Sequence, residues 1–376
     1  MLRFLLFDLL LHGYIALRLL PALPLGALAP AAVGLLIVAS AALMPLGFAA
    51  RRLARQPLAD RLAGLGWLAA GLFSSLLVLT VLRDVGLALW ALIGAGGEAL
   101  RATTREASAL AVPALAVLLT AVGYVNARKR ARVRRVDVPI AGLPAALHGF
   151  TIAQITDLHV GATIKRGYVD RVVDAVNALG ADVIAVTGDL VDGSVRDLAP
   201  HTAPLSRLAA RHGAYFVTGN HEYYSGAPAW TAEIRRLGLT VLENEHVVLR
   251  HDSADVVIAG VTDFGAHHYD PALRSDPAAA LAGAPASAGV KLLLAHQPRS
   301  AFAAVEAGFD LQLSGHTHGG QFLPWNFFVR IQQPFTAGLR RLGTLWVYTS
   351  RGTGYWGPPK RLGAPSEITH LRLVPA

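Results

Sequence analysis

The sequence predicts an all-α membrane module followed by an α/β domain of layered sheets and helices. Three observations carry that expectation. Four long apolar stretches fill the N-terminal third. From about Phe150 onward, short β-type runs alternate with helical stretches. A polar, ionisable residue stands directly after most of those runs.

The apolar stretches are Phe4–Leu23, Leu25–Ala50, Leu62–Leu82 and Ala107–Val125. Each is close to the ~20 residues that a helix needs to cross the hydrocarbon core. The first is not read as a cleaved signal, because the nearest Ala-x-Ala, Ala27–Ala29, lies inside the next apolar stretch and precedes a proline. A shorter run, Val85–Gly97, reads as an extension of the third helix or an interfacial segment. Within the first span, Asp8 and His12 stand four apart on one helix face and are expected to pair inside a bundle, with Arg18 snorkelling.

Charge follows the same division. The chain's net charge is +9, but residues 1–135 hold 15 Lys/Arg and 5 Asp/Glu, a balance of +10. The remaining 19 and 20 leave −1 for residues 136–376. The excess is therefore membrane-flanking, and no nucleic-acid partner is expected, since such a domain carries its basic stripe on its own surface. Arg51–Arg61 has four arginines and Ala127–Arg135 six basic residues. The positive-inside rule puts both in the cytoplasm. The expected protein is a multi-pass one of the inner (cytoplasmic) membrane, with its C-terminal domain on the cytoplasmic side. There is no cysteine, so neither a disulfide nor a thiolate metal site is available. The expected boundaries are a transmembrane module over 1–125, a basic juxtamembrane linker over 126–149 and a catalytic domain over 150–376.

In that domain the strand candidates are Phe150–Thr156, Asp182–Gly188, Ala214–Gly219, Asp255–Val261, Lys291–His296, Asp310–Gly315 and Leu345–Ser350. Arg166–Leu179, Ala229–Leu237 and Ser300–Ala307 read as helices between them. Ligand sites in layered α/β domains gather at the carboxyl ends of strands. Asp157 and His159 follow the first candidate, Asp189 the second, Asn220 and His221 the third. His296 ends the Lys291 run, and His316 and His318 follow the Asp310 run. Each group alone has an ordinary explanation: Asp189 fits a turn or helix cap, Asn220–His221 a turn, His296 a satisfied strand-end histidine. Two imidazoles on one glycine-rich turn, His316 and His318, are harder to explain that way. A donor set of imidazole, carboxylate and amide oxygen without sulfur suits Mn, Fe, Zn, Ni or Co. Its size suits two ions that share one carboxylate, a clamp for displacement at phosphorus.

Asp-x-His, Gly-Asp, Gly-Asn-His-Glu, a single His and then Gly-His-x-His, in that order, resembles the calcineurin-like metallophosphoesterase superfamily. The resemblance runs from about Leu143 to the C-terminus. The Gly-Gly-Gln after His318 and the tail from Ser350 are similar to a bacterial, membrane-associated branch. The resemblance implies a four-layer α-β-β-α sandwich of two mixed sheets, and two divalent or mixed-valence metal ions (Mn, Fe, Zn or Ni). It implies Asp157, His159 and His318 on one ion, Asn220, His296 and His316 on the other, and Asp189 bridging them. It further implies in-line attack by a metal-bridging hydroxide on a phosphodiester, or on a lipid-linked phosphate or pyrophosphate. His221 would serve the leaving oxygen, Glu222 would orient His221, and Asp192 would hold its loop. The alternative is a membrane sensor or scaffold whose domain binds a phosphorylated ligand without turnover.

One further stretch bears on partners. Phe322, Leu323, Trp325, Phe327 and Phe328 crowd the segment after the histidine turn. They read equally as a satellite core or as an apolar lip at a lipid bilayer. His267, His268, Tyr223, Tyr224 and Arg299 lie near the motifs and fit exposed loop positions better than phosphate contacts.

Overall fold

The protein is described from a computed structural model covering residues 2–24, 26, 28–93 and 97–376. Leu25, Ala27 and Gly94–Gly96, which belong to the expected second span and the Val85–Gly97 run, lie outside the described residues. The chain divides into two compact units, Met1–Arg128 with Gly357–Leu362, and Lys129–Trp356 with Gly363–Ala376.

The helical unit contains α1 (Leu2–Leu19), α2 (Leu28–Leu43), α3 (Leu46–Leu53), α4 (Leu58–Ile93) and α5 (Glu98–Arg128). Among the described residues, four helical stretches are long and apolar enough to cross a membrane: Leu2–Ala22, Leu28–Ala50, Leu58–Ile93 and Glu98–Arg128. Ile15, Leu19, Val33, Ile37, Leu76 and Val112 form the inner cluster. Leu6, Leu10, Leu17, Leu35 and Leu92 are exposed on the outside. An outside as apolar as the inside is what lipid, not water, permits. The run from Val85 to Ile93 continues α4 without a break.

Asp8 and His12 are buried and paired at 2.8 Å, and His12 Nε2 meets Ser40 Oγ at 3.0 Å. Arg18 reaches Asp84 at 2.7 Å, and the Tyr14 hydroxyl donates to the same carboxylate at 2.7 Å. Ionisable groups among apolar helices are thus matched in pairs, which limits the cost of placing them there. The returning segment Gly357–Leu362 is also tied down. Lys360 Nζ donates to the Gly71 carbonyl at 2.9 Å, to Thr120 Oγ1 at 3.3 Å and to Ser75 Oγ. The Arg361 N–H donates to the Gly123 carbonyl at 2.9 Å.

The second unit has twelve strands: β1 (Arg132–Ile140), β2 (Thr151–Ile155), β3 (Val183–Thr187), β4 (Ala214–Val217), β5 (Thr240–Val241), β6 (Glu245–His251), β7 (Ala254–Gly260), β8 (Val290–Leu294), β9 (Leu311–Ser314), β10 (Gly338–Leu342), β11 (Leu345–Thr349) and β12 (Glu367–Pro375). They form two mixed six-stranded sheets, β1-β12-β2-β3-β4-β5 and β10-β11-β9-β8-β7-β6. The core lies between them, with Ile152, Val183, Ala185 and Val217 of the first against Ile258, Leu292, Leu294 and Leu313 of the second. The remaining helices are α6 (Arg166–Asn177), α7 (Val195–Thr202), α8 (Asn220–Ser225), α9 (Ala227–Arg236), α10 (Pro277–Leu281), α11 (Ala301–Ala307) and α12 (Trp325–Gln332). In α6, Val169, Val172, Val173 and Val176 make one buried stripe at helical spacing. Ala301 and Ala304 of α11 pack with Leu293, Ala295 and Val347 from the second sheet. The result is the α-β-β-α sandwich.

Residues 126–149, expected to be a linker, contain β1, which pairs in parallel with β12 over its whole length. Its alternating arginines disguise it, since an edge strand can carry charge on its exposed positions.

Strands β2, β3 and β4 are mutually parallel, as are β7, β8 and β9. Their carboxyl ends therefore deliver the polar loops of each sheet to a common edge.

Candidate metal centre

The loops after β2 and β3 keep pairing beyond the sheet. The His159 N–H donates to the Asp189 carbonyl at 3.1 Å and the Val160 N–H to the Leu190 carbonyl at 2.8 Å. This sets Asp157 and His159 beside Asp189 and Asp192. Asn220 and His221 open α8 directly after β4, and His296, His316 and His318 come from the turns after β8 and β9.

Asp157, His159, Asp189, His316 and His318 all have positive φ, between 50° and 69°. Non-glycine residues rarely adopt that conformation, and it concentrates where function dictates side-chain direction. Gly219 has ordinary φ but needs to lack a side chain for another reason. A Cβ there would lie 2.2 Å from Asp189 Oδ1.

Donor atoms of Asp157, His159 and His318 lie within 4.8 Å of one another, as do those of Asp189, His296 and His316. A third such group, His159, Asp189 and His221, overlaps both. Asp189 Oδ2 is 3.1 Å from His296 Nε2 and 3.8 Å from His159 Nε2, so it stands between the two sets. His159 Nε2 approaches His318 Nε2 to 3.0 Å, and His316 Nδ1 approaches His296 Nε2 to 3.2 Å. Asn220 Oδ1 is buried with no hydrogen-bond donor. Converging imidazole nitrogens, buried carboxylates and an orphaned amide oxygen form a donor set that fits cations. Sequence-predicted Asp157, His159, Asp189, His221, His296, His316 and His318 are all brought together here.

Supporting contacts orient these donors. His296 donates Nδ1–H to the Thr187 carbonyl at 2.8 Å, which turns its Nε2 towards Asp189. The backbone N–H of His316 donates to Asp157 Oδ1 at 2.9 Å. Asp192 Oδ1 accepts from His221 Nδ1 at 2.6 Å and from His159 Nδ1 at 3.1 Å. Glu222 does not orient His221, contrary to expectation. Its carboxylate accepts from the N–H groups of Gly219 (2.7 Å), Asp189 (2.9 Å) and Leu190 (2.8 Å). At the third position of α8 its side chain folds back over the helix start, so it pins the Asp189 loop.

The electrostatics reflect crowded carboxylates and imidazoles. Burial raises the Asp157 carboxyl. Burial would raise Asp189 too, but His296 and His221 overcome it and hold it well below the usual range. His296 is driven down by burial and more strongly up by Asp189. Burial likewise lowers His221, yet Asp189 and Asp192 carry it up to about 9. Burial opposes the ionised form of Asp192, and His159 and His221 outweigh that to lower it. Burial and Asp189 lift Glu222 to about 8, while burial and His296 press His316 to about 3.

Residues 150–320 match the calcineurin-like phosphoesterase family. The chain is also 33% identical over 300 residues to an uncharacterized metallophosphoesterase of Campylobacter jejuni, covering 79% of this chain and 78% of that one. The chain belongs to the calcineurin-like phosphoesterase family. A transmembrane protein with metallophosphoesterase domain from Bos taurus is 41% identical over 280 residues, covering 70% of this chain and 63% of that relative. An uncharacterized metallophosphoesterase of Helicobacter pylori is 35% identical over 262 residues, covering 67% of this chain and 66% of that relative. The chain thus spans less than two thirds of the animal relative's length.

In this calcineurin-like site, sequence reasoning missed the shared contact of Asp192. The signal was its place three residues after Asp189, on the strand extension that pairs Val191 with Val160. It also missed Trp356, whose ring lies 5.9 Å from that of His221. Of the other polar candidates, Tyr224 lies 5.0 Å from the His221 ring and is exposed. Tyr223 is buried, with its hydroxyl 3.3 Å from Thr218 Oγ1. His267 and His268 lie ring to ring at 4.0 Å. Arg299 sits over the Phe264 ring at 5.1 Å and donates to the Gln332 carbonyl.

Proposed function

We propose that the protein is a membrane-anchored, two-metal phosphoesterase acting on a phosphodiester or a lipid-linked phosphate or pyrophosphate. The observation that carries this is the Asp189 carboxylate standing between two groups of converging donors. Asp157, His159 and His318 would hold one cation, Asn220, His296 and His316 the second, and Asp189 both. A pair of divalent cations there supplies Lewis-acid stabilisation of the phosphoryl group and lowers the pKa of water.

The chain's own side chains do the rest. His221 gives its Nδ1–H to Asp192, which leaves Nε2 to carry a proton toward the leaving oxygen. Asp192 sets the tautomer and ring angle of both His221 and His159. Asp157 and Asp189 need no covalent role. Four candidate spans and the similarity to transmembrane relatives support a membrane-borne substrate.

The test uses the full-length protein in detergent. With Mn²⁺ it should hydrolyse bis(p-nitrophenyl) phosphate. Chelation and desalting should remove both bound metal and turnover, and Mn²⁺ should restore them. Tight binding of phosphoesters by the metal-loaded protein with no hydrolysis of any of them would indicate a sensor instead. A screen of lipid-linked against soluble phosphoesters then identifies the substrate.

We further propose that the phosphoesterase unit faces the cytoplasm of a bacterial inner membrane. Support comes from the basic segments Arg51–Arg61 and Ala127–Arg135, two crossings apart, and from the unbroken course of α4 to Ile93. A reporter that works only in the cytoplasm, fused after Arg135, should be active. Activity of a periplasm-only reporter at that point would reverse the orientation.

A further inference from the structure

Helix α12 buries none of its residues. Trp325 is 42% exposed, Phe327 63%, Phe328 54% and Ile331 83%. Leu323, just before it, is also exposed. A soluble surface rarely leaves so many large apolar side chains exposed together.

The helix is firmly mounted. A Cβ on Gly320, two residues past His318, would lie 2.2 Å from the Asn326 Cα. The Trp325 N–H donates to the Phe322 carbonyl at 3.0 Å. The apolar face is therefore fixed against the turn that carries His316 and His318.

Charge identifies the partner. From Leu311 to Ser366 the sequence holds no Asp or Glu, while Arg330, Arg340 and Arg341 fall inside that span. Arg330 lies on α12 itself, exposed, and Arg340 and Arg341 on β10 are exposed as well. Aromatic and aliphatic side chains with arginine and no acid are the composition of a helix that lies in an anionic lipid interface. The tether agrees, since only residues 129–131 separate the end of α5 from β1.

We infer that α12 is an interfacial helix that seats in an anionic lipid surface and holds the His316–His318 turn at headgroup level. This rests on the membrane-anchored reading above. It deepens that reading by naming the surface from which a phosphoester enters.

The chain has no cysteine, so single labels can be placed without background. Phe328→Cys and Ile331→Cys, each in the full-length protein, are labelled with a polarity-sensitive fluorophore and reconstituted into nanodiscs of phosphatidylglycerol and phosphatidylcholine. Arg196→Cys, whose native side chain is 91% exposed on α7, is the reference. Headgroup-nitroxide lipid should quench the labels at 328 and 331 about threefold more strongly than the label at 196, with blue-shifted emission. Quenching at 328 and 331 no greater than at 196 would overturn the inference. Hydrolysis of bis(p-nitrophenyl) phosphate by the same labelled proteins is read in parallel. It shows that each variant is folded, and it tests the metal centre separately, because that ester needs no membrane.

Discussion

Asp189→Ala is expected to lower turnover of bis(p-nitrophenyl) phosphate to below about one thousandth of the wild-type value, the scale of losing a principal electrostatic group at a reacting phosphoryl centre. The geometry concentrates this effect in one residue. Asp189 accepts the His221 backbone N–H at 2.9 Å through Oδ1, while Oδ2 faces His296 at 3.1 Å and His159 at 3.8 Å. Removing it withdraws the carboxylate that stands between the two donor groups and leaves two buried imidazoles facing each other across an empty position. Bound metal, measured by mass spectrometry on the desalted protein, should fall together with turnover. Asp189→Asn keeps the shape and the His221 contact but loses the charge, so its metal content should also fall while its fold is retained. Wild-type turnover in Asp189→Ala would remove the metal-centre reading altogether.

The second large effect depends on the leaving group. His221→Gln should cost about 10²–10⁴-fold on an ester with an alkyl or phenyl leaving group, the usual contribution of a positioned proton donor. On a p-nitrophenyl ester the loss should be far smaller, because that oxygen departs without help. Asp192→Asn should resemble it in pattern, and about 10–100-fold in size, the range seen when a carboxylate that orients a ligand imidazole is lost. It carries an added loss of metal affinity, because the same oxygen also holds His159. Equal losses on both kinds of ester in His221→Gln would assign His221 to ground-state binding or structure instead of proton delivery.

What could be read from the sequence depended on burial. Strands β3, β8 and β9 lie in the middle of their sheets and are buried on both faces, so they read as short, mainly apolar runs, interrupted by Lys291 in β8 and by Gln312 and Ser314 in β9. Strands β1 and β10 are edges carrying arginine, and β12 alternates buried and less buried positions with His370 and Arg372 among them. The partners of β1 and β12 lie far away in sequence, and nothing local announces them, whereas β10 pairs with its neighbour β11 across the turn at 343–344 and is disguised only by its arginines. The donor residues were legible because each follows a central strand. The contacts among them were not. Asp192 touches His159 and His221 only because two loops go on pairing past their strands, which is a matter of register. Glu222 stands next to His221 in the chain, yet the first turn of α8 sends the two side chains in different directions.

The excursion of Gly357–Leu362 bears on how the protein can be handled. The backbone leaves the phosphoesterase unit after Trp356 and returns at Gly363, and in between Lys360 is gripped by a carbonyl and two hydroxyls of α4 and α5. No single cut separates the halves. A water-soluble fragment starting at Lys129 would display a loop whose ammonium has lost all three of those acceptors, so weak behaviour of such a fragment would report on the surgery and not on the catalyst.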